Sequence, residues 1–243
     1  MKKILITAPL RQDVDVFEAY QDGLDKLIIP EGYTADRFFL VNDCPEVVPH
    51  IRNASYEIVE TGEVYEKTAN DHLWSMELML KMSELRNRTI QEMLEGGYDY
   101  WLSIDTDIVV EPRTLQALIE ADVDIVSEIF WTQAPSGMWW CNAWMCDQAT
   151  GFLDEWRKPG LYQVGMTGAL TLVKREVFLK GVDYTPIPNI HRALRGEDRH
   201  FCVRAACAGF EMWIDTQYPA RHLYTRALYE EYMKEKAGEV RNG

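Results

Sequence analysis

Apolar and polar residues change their spacing in blocks along the first half of the chain. The run KILITA at 3–8 is almost continuously apolar and ends before Pro9, which is typical of a buried strand. Residues 16–28 place apolar side chains at helical spacing, and DRFFLVND and YEIVETG predict two further strands. A long helix is expected from 71 to 95, because Gly96 and Gly97 stop its pattern.

The same alternation continues to Trp131. YDYWLSID predicts a fourth strand, EPRTLQALIEA a short helix with Pro112 in its first turn, and VDIVSEIFW a fifth strand. Strands that alternate with helices pair in parallel, so the pattern predicts an α/β fold with a Rossmann-like, doubly wound and mostly parallel central sheet.

The pattern becomes less regular after Trp131. The aromatic-rich segment MWWCNAWMCDQATGFLDEW contains the turn signal Ala149-Thr150-Gly151 and predicts an antiparallel hairpin. A strand-like run bent at Gly165 and Gly168 follows, then a helix at 197–208, the strand FEMWIDT and a helical tail from 224 to about 240. We expect a single domain over 1–243. Its nucleotide-type half would extend to about residue 131, and a smaller antiparallel and irregular half would begin at about 132.

Composition narrows the classes of function. The chain has 243 residues, 47% of them hydrophobic, and a formal net charge of -14. This charge argues against general nucleic-acid binding and against attachment to an anionic membrane surface, both of which need clustered Lys and Arg. A local basic pocket for one phosphorylated small molecule is compatible with it. The five cysteines lack zinc or CxxC spacing and are expected to be buried thiols. With no signal-peptide or transmembrane pattern apparent, a cytoplasmic protein is expected.

Two carboxylates interrupt an apolar stretch in YDYWLSIDTDIVVEP. Asp105 and Asp107 follow the fourth strand, and ligands of open parallel sheets bind at the carboxyl ends of strands. Paired hard oxygen ligands suit Mg²⁺ or Mn²⁺ that also binds phosphate oxygens and water. Alternatively, both aspartates cap the next helix or pair with a surface arginine.

Three later residues could join this chemistry. Glu197 and Asp198 lie at the expected start of a helix, where the helix dipole favours an ionised carboxylate. His222 could bind a metal through a neutral ring nitrogen. The alternatives are ordinary first-turn acids and a packed or surface histidine.

These elements occur in a familiar order. RNRTIQEMLEGGYDYWLSIDTDIVVEPRTLQAL, VGMTGALTLVKREVF, GEDRHFCVRAACAGF and a late RHLY together resemble the GT-A glycosyltransferases, in particular the family-2-like members. The resemblance extends from about residue 3 to 224. It implies a nucleotide-diphosphate sugar donor, a divalent metal on the DxD motif and a base on a later helix.

The resemblance also assigns roles. Asp107 would be the principal metal ligand, Asp105 would face the ribose or a metal-bound water, and His222 would complete the metal site. Asp198 would be the general base of an inverting transfer, with Glu197 orienting the acceptor.

Further positions follow from the same resemblance. Donor-binding residues would be Thr7, Ala8, Pro9, Arg11, Arg86, Asn87 and Thr106. Gly165 and Gly168 would let the backbone approach the sugar or acceptor, because glycine has no Cβ. Trp131, Trp139, Trp140 and Trp144 would either stack on sugar faces or pack in the core or a lid. Gly196, Arg199 and His200 depart from the family pattern, and Arg199 suggests a charged acceptor or a phosphate.

The leading hypothesis is therefore a Mn²⁺- or Mg²⁺-dependent, inverting glycosyltransferase that uses a UDP- or GDP-sugar and a saccharide acceptor. A haloacid-dehalogenase-like phosphatase ranks lower, because three strands precede the DxD motif. A non-catalytic sugar-nucleotide-binding module is the third hypothesis. A dehydrogenase is disfavoured, because ITAPLRQD replaces GxGxxG after the first strand.

Overall fold

The computed structural model describes residues 1–62, 75–133, 137–146, 152–191, 194 and 196–238. The strands in these residues are β1 Lys2–Leu10, β2 Tyr33–Asn42, β3 Ser55–Val59, β4 Tyr100–Ile104, β5 Ile108–Val109, β6 Ile125–Gln133, β7 Trp139–Cys141, β8 Ala143–Trp144, β9 Leu161–Val164, β10 Met166–Thr167, β11 Leu170–Lys174 and β12 Met212–His222. The α-helices are α1 Val14–Leu24, α2 Met76–Glu95, α3 Thr114–Glu120, α4 Arg175–Leu179, α5 Glu197–Cys207 and α6 Arg226–Lys236. Two 3-10 helices span Pro45–His50 and Asp154–Arg157.

A ten-stranded sheet organises these elements. Its order is β3-β2-β1-β4-β11-β6-β12-β5, with β7 beside β6 and β9 beside β12. Strands β3, β2, β1 and β4 are parallel, as are β6 and β12, whereas β11 runs antiparallel between β4 and β6. The pair β8 and β10 forms a separate small antiparallel sheet. The predicted α/β class, parallel core and smaller antiparallel part are confirmed.

Helices cover both faces of the sheet. Successive residues of a strand point to opposite faces, so a strand buried on both faces is apolar throughout. Ile4 and Ile6 pack in one cluster with Phe17 of α1, and Leu5 packs in a second cluster with Leu85 of α2. The continuous apolar run of β1 therefore reflects its central place in the sheet.

Three predicted helices are shorter in the structure. The one expected over EPRTLQALIEA spans Thr114–Glu120, so Pro112 precedes its first turn. The helix expected from 71 begins at Met76, and Ser75 caps it by accepting a 3.0 Å bond from the Leu78 amide; residues 71–74 lie outside the described part. The tail helix spans Arg226–Lys236, and the hydroxyl of Thr225 caps it. An N-terminal side-chain cap sets the residue at which a helix begins, and apolar spacing alone does not mark that residue.

The prediction of a hairpin within the aromatic-rich segment was wrong, because the strands of this segment pair with strands outside it. β7 pairs with β6 and β8 pairs with β10, while Asp154–Arg157 is a 3-10 helix. The expected turn Ala149-Thr150-Gly151 lies outside the described residues. Asn142, between β7 and β8, explains the pairing. Its side chain bonds to the backbone of Phe130 and Glu128 in β6 and of Gly168 beyond β10.

The cysteines are free, and they are not all buried as expected. Cys44, Cys141 and Cys202 are buried, whereas Cys146 and Cys207 are exposed. Cys207 is the last residue of α5, where the helix reaches solvent. In the described part of the chain, no helix has both the length and the apolar character needed to cross a membrane.

Candidate active site

The DxD motif lies in a tight connection after β4. The Asp105 amide donates to the Ala169 carbonyl at 2.9 Å, and the Asp107 carbonyl accepts from the Leu223 amide at 2.7 Å. Backbone bonds from two distant segments therefore fix both aspartates. Beside them lies an open cleft. Its walls are Pro9, Leu10, Arg11, Gln12, Asn42, Leu78, Met82, Leu85, Asp105, Thr106 and Asp107.

Asp107 and His222 face each other across the β5–β12 pair. His222 Nε2 lies 3.4 Å from Asp107 Oδ2, and each side chain is 14% exposed. The other ring nitrogen, Nδ1, lies 2.6 Å from Thr132 Oγ1. If Nδ1–H donates to this hydroxyl, the lone pair of Nε2 is directed to the Asp107 side, which is the tautomer that a metal needs.

Asp105 has a different partner. Arg86, a residue of α2 whose side chain is 1% exposed, donates to Asp105 Oδ1 at 2.9 Å and Oδ2 at 3.2 Å. The same guanidinium donates to Ser103 Oγ at 3.0 Å. The expectation of a surface arginine as a partner was therefore wrong, because this arginine is buried. Asp105 is engaged in an internal ion pair, whereas Asp107 faces the histidine.

Glu197 and Asp198 approach the same arginine from the first turn of α5. Glu197 Oε1 lies 3.8 Å from Arg86 Nη2, and Asp198 Oδ1 lies 3.8 Å from Arg86 Nε. Asp198 Oδ1 and Arg86 Nε are both buried without a hydrogen-bond partner. One guanidinium thus serves three carboxyl groups, which leaves an excess of negative charge when all three are ionised.

The pKa values of these three carboxyl groups are raised. Burial raises the pKa of Asp198 to about 8, although Arg86 lowers it and Glu197 raises it further. Burial also raises the pKa of Glu197 and of Asp105. Desolvation raises the pKa of both Glu197 and Asp198, and it therefore opposes the helix dipole that was expected to keep them ionised.

Gly168 fits closely against Asp198. A Cβ placed on Gly168 would lie 2.3 Å from Asp198 Oδ2, which is closer than nonbonded atoms can approach. Two hydrogen bonds to Asn142 hold this glycine. The Asn142 side-chain amide donates to the Gly168 carbonyl at 3.1 Å, and the Asn142 backbone carbonyl accepts from the Gly168 amide at 3.2 Å. The segment after β10 thus fits against Asp198 through Gly168 and holds Asp105 through the Ala169 carbonyl.

The structure places the proposed donor residues in different surroundings. Pro9, Arg11 and Thr106 line the cleft. Thr7 and Ala8 do not, because both are completely buried within β1. The side chain of Asn87 accepts from the Tyr184 amide and donates to the Thr185 hydroxyl, so its amide is engaged in structural bonds.

Asn42 is a cleft residue that the sequence reasoning missed. It ends β2, lines the cleft and has a buried Oδ1 without a hydrogen-bond partner. The signal was a polar residue at the carboxyl end of DRFFLVND, the same kind of position that drew attention to the DxD motif.

Residues assigned to the acceptor are mostly packed. Trp131 packs against Arg157, whose guanidinium carbon is 3.9 Å from the centre of the indole, and against Phe152, whose ring centre is 5.0 Å away. Arg199 lies over the Trp144 ring at 4.9 Å. Gly165 approaches the Met145 carbonyl, since a Cβ there would lie 2.5 Å from that oxygen. Its close approach is therefore to protein backbone.

The donor set near the cleft fits a divalent cation only in part. The described residues contain no group of three or more His, Cys, Asp and Glu placed to hold a metal. Asp107 and His222 provide one carboxylate and one imidazole, which suit Mn²⁺ when ligand phosphate oxygens and water complete the shell.

Comparisons with known proteins identify the fold. No protein-family model matches the sequence, and no curated protein sequence matches it. A mannosyltransferase from Pyrobaculum calidifontis in complex with GDP-mannose and Mn²⁺ superposes with a TM-score of 0.56 at 14% identity, covering 99% of this chain and 64% of that one. TarS from S. aureus in complex with UDP-GlcNAc gives 0.52 at 11% identity, covering 90% and 57%.

A third structure is similar over its whole length. The CMP:2-keto-3-deoxy-manno-octonic acid synthetase complexed with CTP gives a TM-score of 0.54 at 9% identity, covering 99% of this chain and 100% of that one. The chain spans less than two thirds of the two transferases and all of the synthetase. At these identities the likeness establishes the architecture. The protein has the GT-A-type α/β fold of nucleotide-sugar glycosyltransferases and related nucleotide-sugar enzymes.

Proposed function

We propose that this protein is a metal-dependent glycosyltransferase that moves a sugar from a nucleotide-diphosphate sugar to an acceptor hydroxyl with inversion. One observation carries the proposal. Two polar clusters converge at the carboxyl ends of the central strands: Asp107 with His222, and Asp198 with Glu197 around the Arg86–Asp105 pair. Structures of this fold bind GDP-mannose with Mn²⁺ and UDP-GlcNAc, which supports a donor of the same class.

We infer that the donor binds in the cleft beside the DxD motif. Arg11 and Asn42 offer a positive charge and an unpartnered acceptor at the end formed by β1 and β2, where the nucleoside would bind. Asp107 and His222 would hold Mn²⁺ or Mg²⁺ at the other end. A cation held there would neutralise negative charge on the leaving diphosphate.

Asp198 is the proposed general base. It must accept the proton of the attacking hydroxyl, and a base with a pKa near the working pH does this efficiently. Its pKa of about 8 comes from burial among Glu197, Asp105 and a single guanidinium. Glu197, beside it in the same helical turn, would orient the acceptor.

The competing enzyme hypothesis fits the structure less well. A phosphatase of the haloacid-dehalogenase type needs its first DxD aspartate as a free nucleophile. Here both oxygens of Asp105 accept hydrogen bonds from Arg86. An aspartate held in this way is a structural anion, so we favour transfer of a sugar over transfer of a phosphoryl group.

The test is product formation with Mn²⁺, a panel of UDP- and GDP-sugars, and oligosaccharide acceptors. Wild type should form a glycosylated product, and Asp198→Asn should bind the donor normally and form at least about a hundredfold less product. If both proteins bind donor and both are inert, the non-catalytic binding module is the correct description. Release of phosphate from an aryl phosphate, without sugar transfer, would instead establish the phosphatase.

A further inference from the structure

The tryptophans near β6 and β7 differ in how much of each ring is already covered. Arg157 and Phe152 pack against Trp131, and Arg199 packs on Trp144. Trp139 and Trp140, in contrast, are 42% and 50% exposed. Two indole rings of β7 therefore present large apolar surfaces to solvent.

The strand register separates these two rings. In the antiparallel β6–β7 pair, Trp140 lies opposite Thr132, and Trp139 lies opposite Gln133. Directly opposed residues project from the same face, and neighbours along a strand project from opposite faces. The Thr132 hydroxyl contacts Nδ1 of His222, so the Thr132 face is the face of the proposed metal ligands. Trp140 shares this face, and Trp139 lies on the reverse side.

We infer that Trp140 is a sugar-stacking subsite that extends the candidate active site beyond His222. The inference rests on the proposed function. A pyranose ring presents C–H groups on one face, and the electron-rich face of an indole attracts such groups while excluding water from them. The ligand class is thus a pyranose ring, contributed either by the donor or by the acceptor.

Two observations favour a sugar over other occupants of an exposed indole. Trp140 lies opposite Thr132, whose hydroxyl contacts His222 beside Asp107, so a ligand on Trp140 would lie on the face of the proposed metal ligands. The net charge of -14 opposes contact with an anionic bilayer and with a second copy of this chain.

Calorimetry with the full chain, Mn²⁺ and three variants shows whether the pyranose ring on Trp140 belongs to the donor or to the acceptor. The donor arm compares UDP with UDP-GlcNAc and GDP with GDP-mannose. The acceptor arm titrates chitotriose and mannotriose into protein that holds Mn²⁺ and the nucleoside diphosphate. Trp140→Ala is the test variant, Trp140→Phe retains an aromatic ring, and Trp139→Ala is the matched control on the opposite face.

We expect Trp140→Ala to weaken sugar binding by roughly fivefold to tenfold in one arm, with the nucleoside diphosphate affinity unchanged. Trp140→Phe should recover part of the loss, and Trp139→Ala should behave as wild type. Equal loss in both alanine variants, or no loss in either arm, would overturn the inference. Failure of wild type to bind any nucleotide with Mn²⁺ would instead refute the proposed function. Dimerisation or vesicle binding that disappears only in Trp140→Ala would also overturn the subsite.

Discussion

Arg86 bonds to both oxygens of Asp105, with one of its nitrogens 2.9 and 3.2 Å from them. The first aspartate of the DxD motif is therefore paired inside the protein before any ligand arrives. Asp107, two residues later, faces His222 instead. The two carboxylates of one motif therefore have different surroundings: Asp105 pairs with a buried arginine, and Asp107 lines the cleft beside His222.

Replacement of Arg86 should lower the free energy of unfolding strongly. Arg86→Gln leaves three carboxyl groups without their cation, and breaking a buried pair in this way costs about 3–5 kcal/mol of unfolding free energy. Arg88→Gln, on the same helix, removes only the exposed pair with Glu57 and should cost at most about 1 kcal/mol. Urea unfolding of both variants measures the difference. Similar losses in the two variants would show that Arg86 does not stabilise the cluster.

Gly168 should control the position of Asp198. Because a Cβ at this position would lie 2.3 Å from the carboxylate, Gly168→Ala must displace it. We expect kcat to fall at least about tenfold with donor affinity unchanged, since misplacing a base affects the chemical step. Gly32→Ala is the control. It adds the strain of a left-handed backbone, with φ +84, but meets no neighbouring atom. Normal kcat in Gly168→Ala would mean that Asp198 is not the base.

The high pKa of Asp198 predicts opposite effects of pH on stability and activity. The folded state keeps a proton that the unfolded chain releases near its ordinary pKa of 3.8, so stability falls as the pH rises from about 4 through about 8. Asp198→Asn removes this penalty, and its Tm should exceed that of wild type increasingly up to pH 9. Wild-type kcat/KM should rise with pH until the base is ionised. Parallel Tm profiles of the two proteins would contradict the raised pKa.

Thr132 should act on metal affinity through His222. The hydroxyl lies 2.6 Å from Nδ1 and can fix the ring tautomer that leaves Nε2 free. Thr132→Val keeps the shape but removes this partner, and loss of such a bond typically weakens metal binding about 10- to 100-fold. Mn²⁺ titration in the presence of nucleoside diphosphate measures the effect. Thr132→Ser retains the hydroxyl and should bind Mn²⁺ about as tightly as wild type. Wild-type Mn²⁺ affinity in Thr132→Val would show that this bond does not contribute to metal binding.

Much of the architecture could be predicted from local patterns. Continuous apolar runs marked β1 and β4, helical spacing marked α1 and α2, and their alternation gave the parallel core. The antiparallel placement of β11 between β4 and β6 could not be predicted, because an apolar run such as LTLVK is compatible with either direction. The partners of β7 and β8 depend on the buried bonds of Asn142, which sequence spacing does not reveal.

The candidate site was predictable as a set of residues but not as a set of contacts. Asp105, Asp107, Glu197, Asp198 and His222 were identified from their order along the chain. The sequence did not show that Arg86 would serve three carboxyl groups, because residues 86, 105 and 198 meet only through the tertiary fold. Burial likewise raises the pKa of Asp198, and desolvation of a side chain depends on its surroundings in three dimensions.

The most direct test of the central claim is calorimetric binding of UDP- and GDP-sugars with and without Mn²⁺, comparing wild type with Asp107→Asn. Wild type should bind a donor with Mn²⁺ and lose most of this affinity without it. Asp107→Asn should remain folded and show the weak, metal-independent affinity in both conditions. Donor binding that is equally tight in the absence of Mn²⁺, or unaffected by Asp107→Asn, would contradict a metal-dependent sugar transferase built on this aspartate.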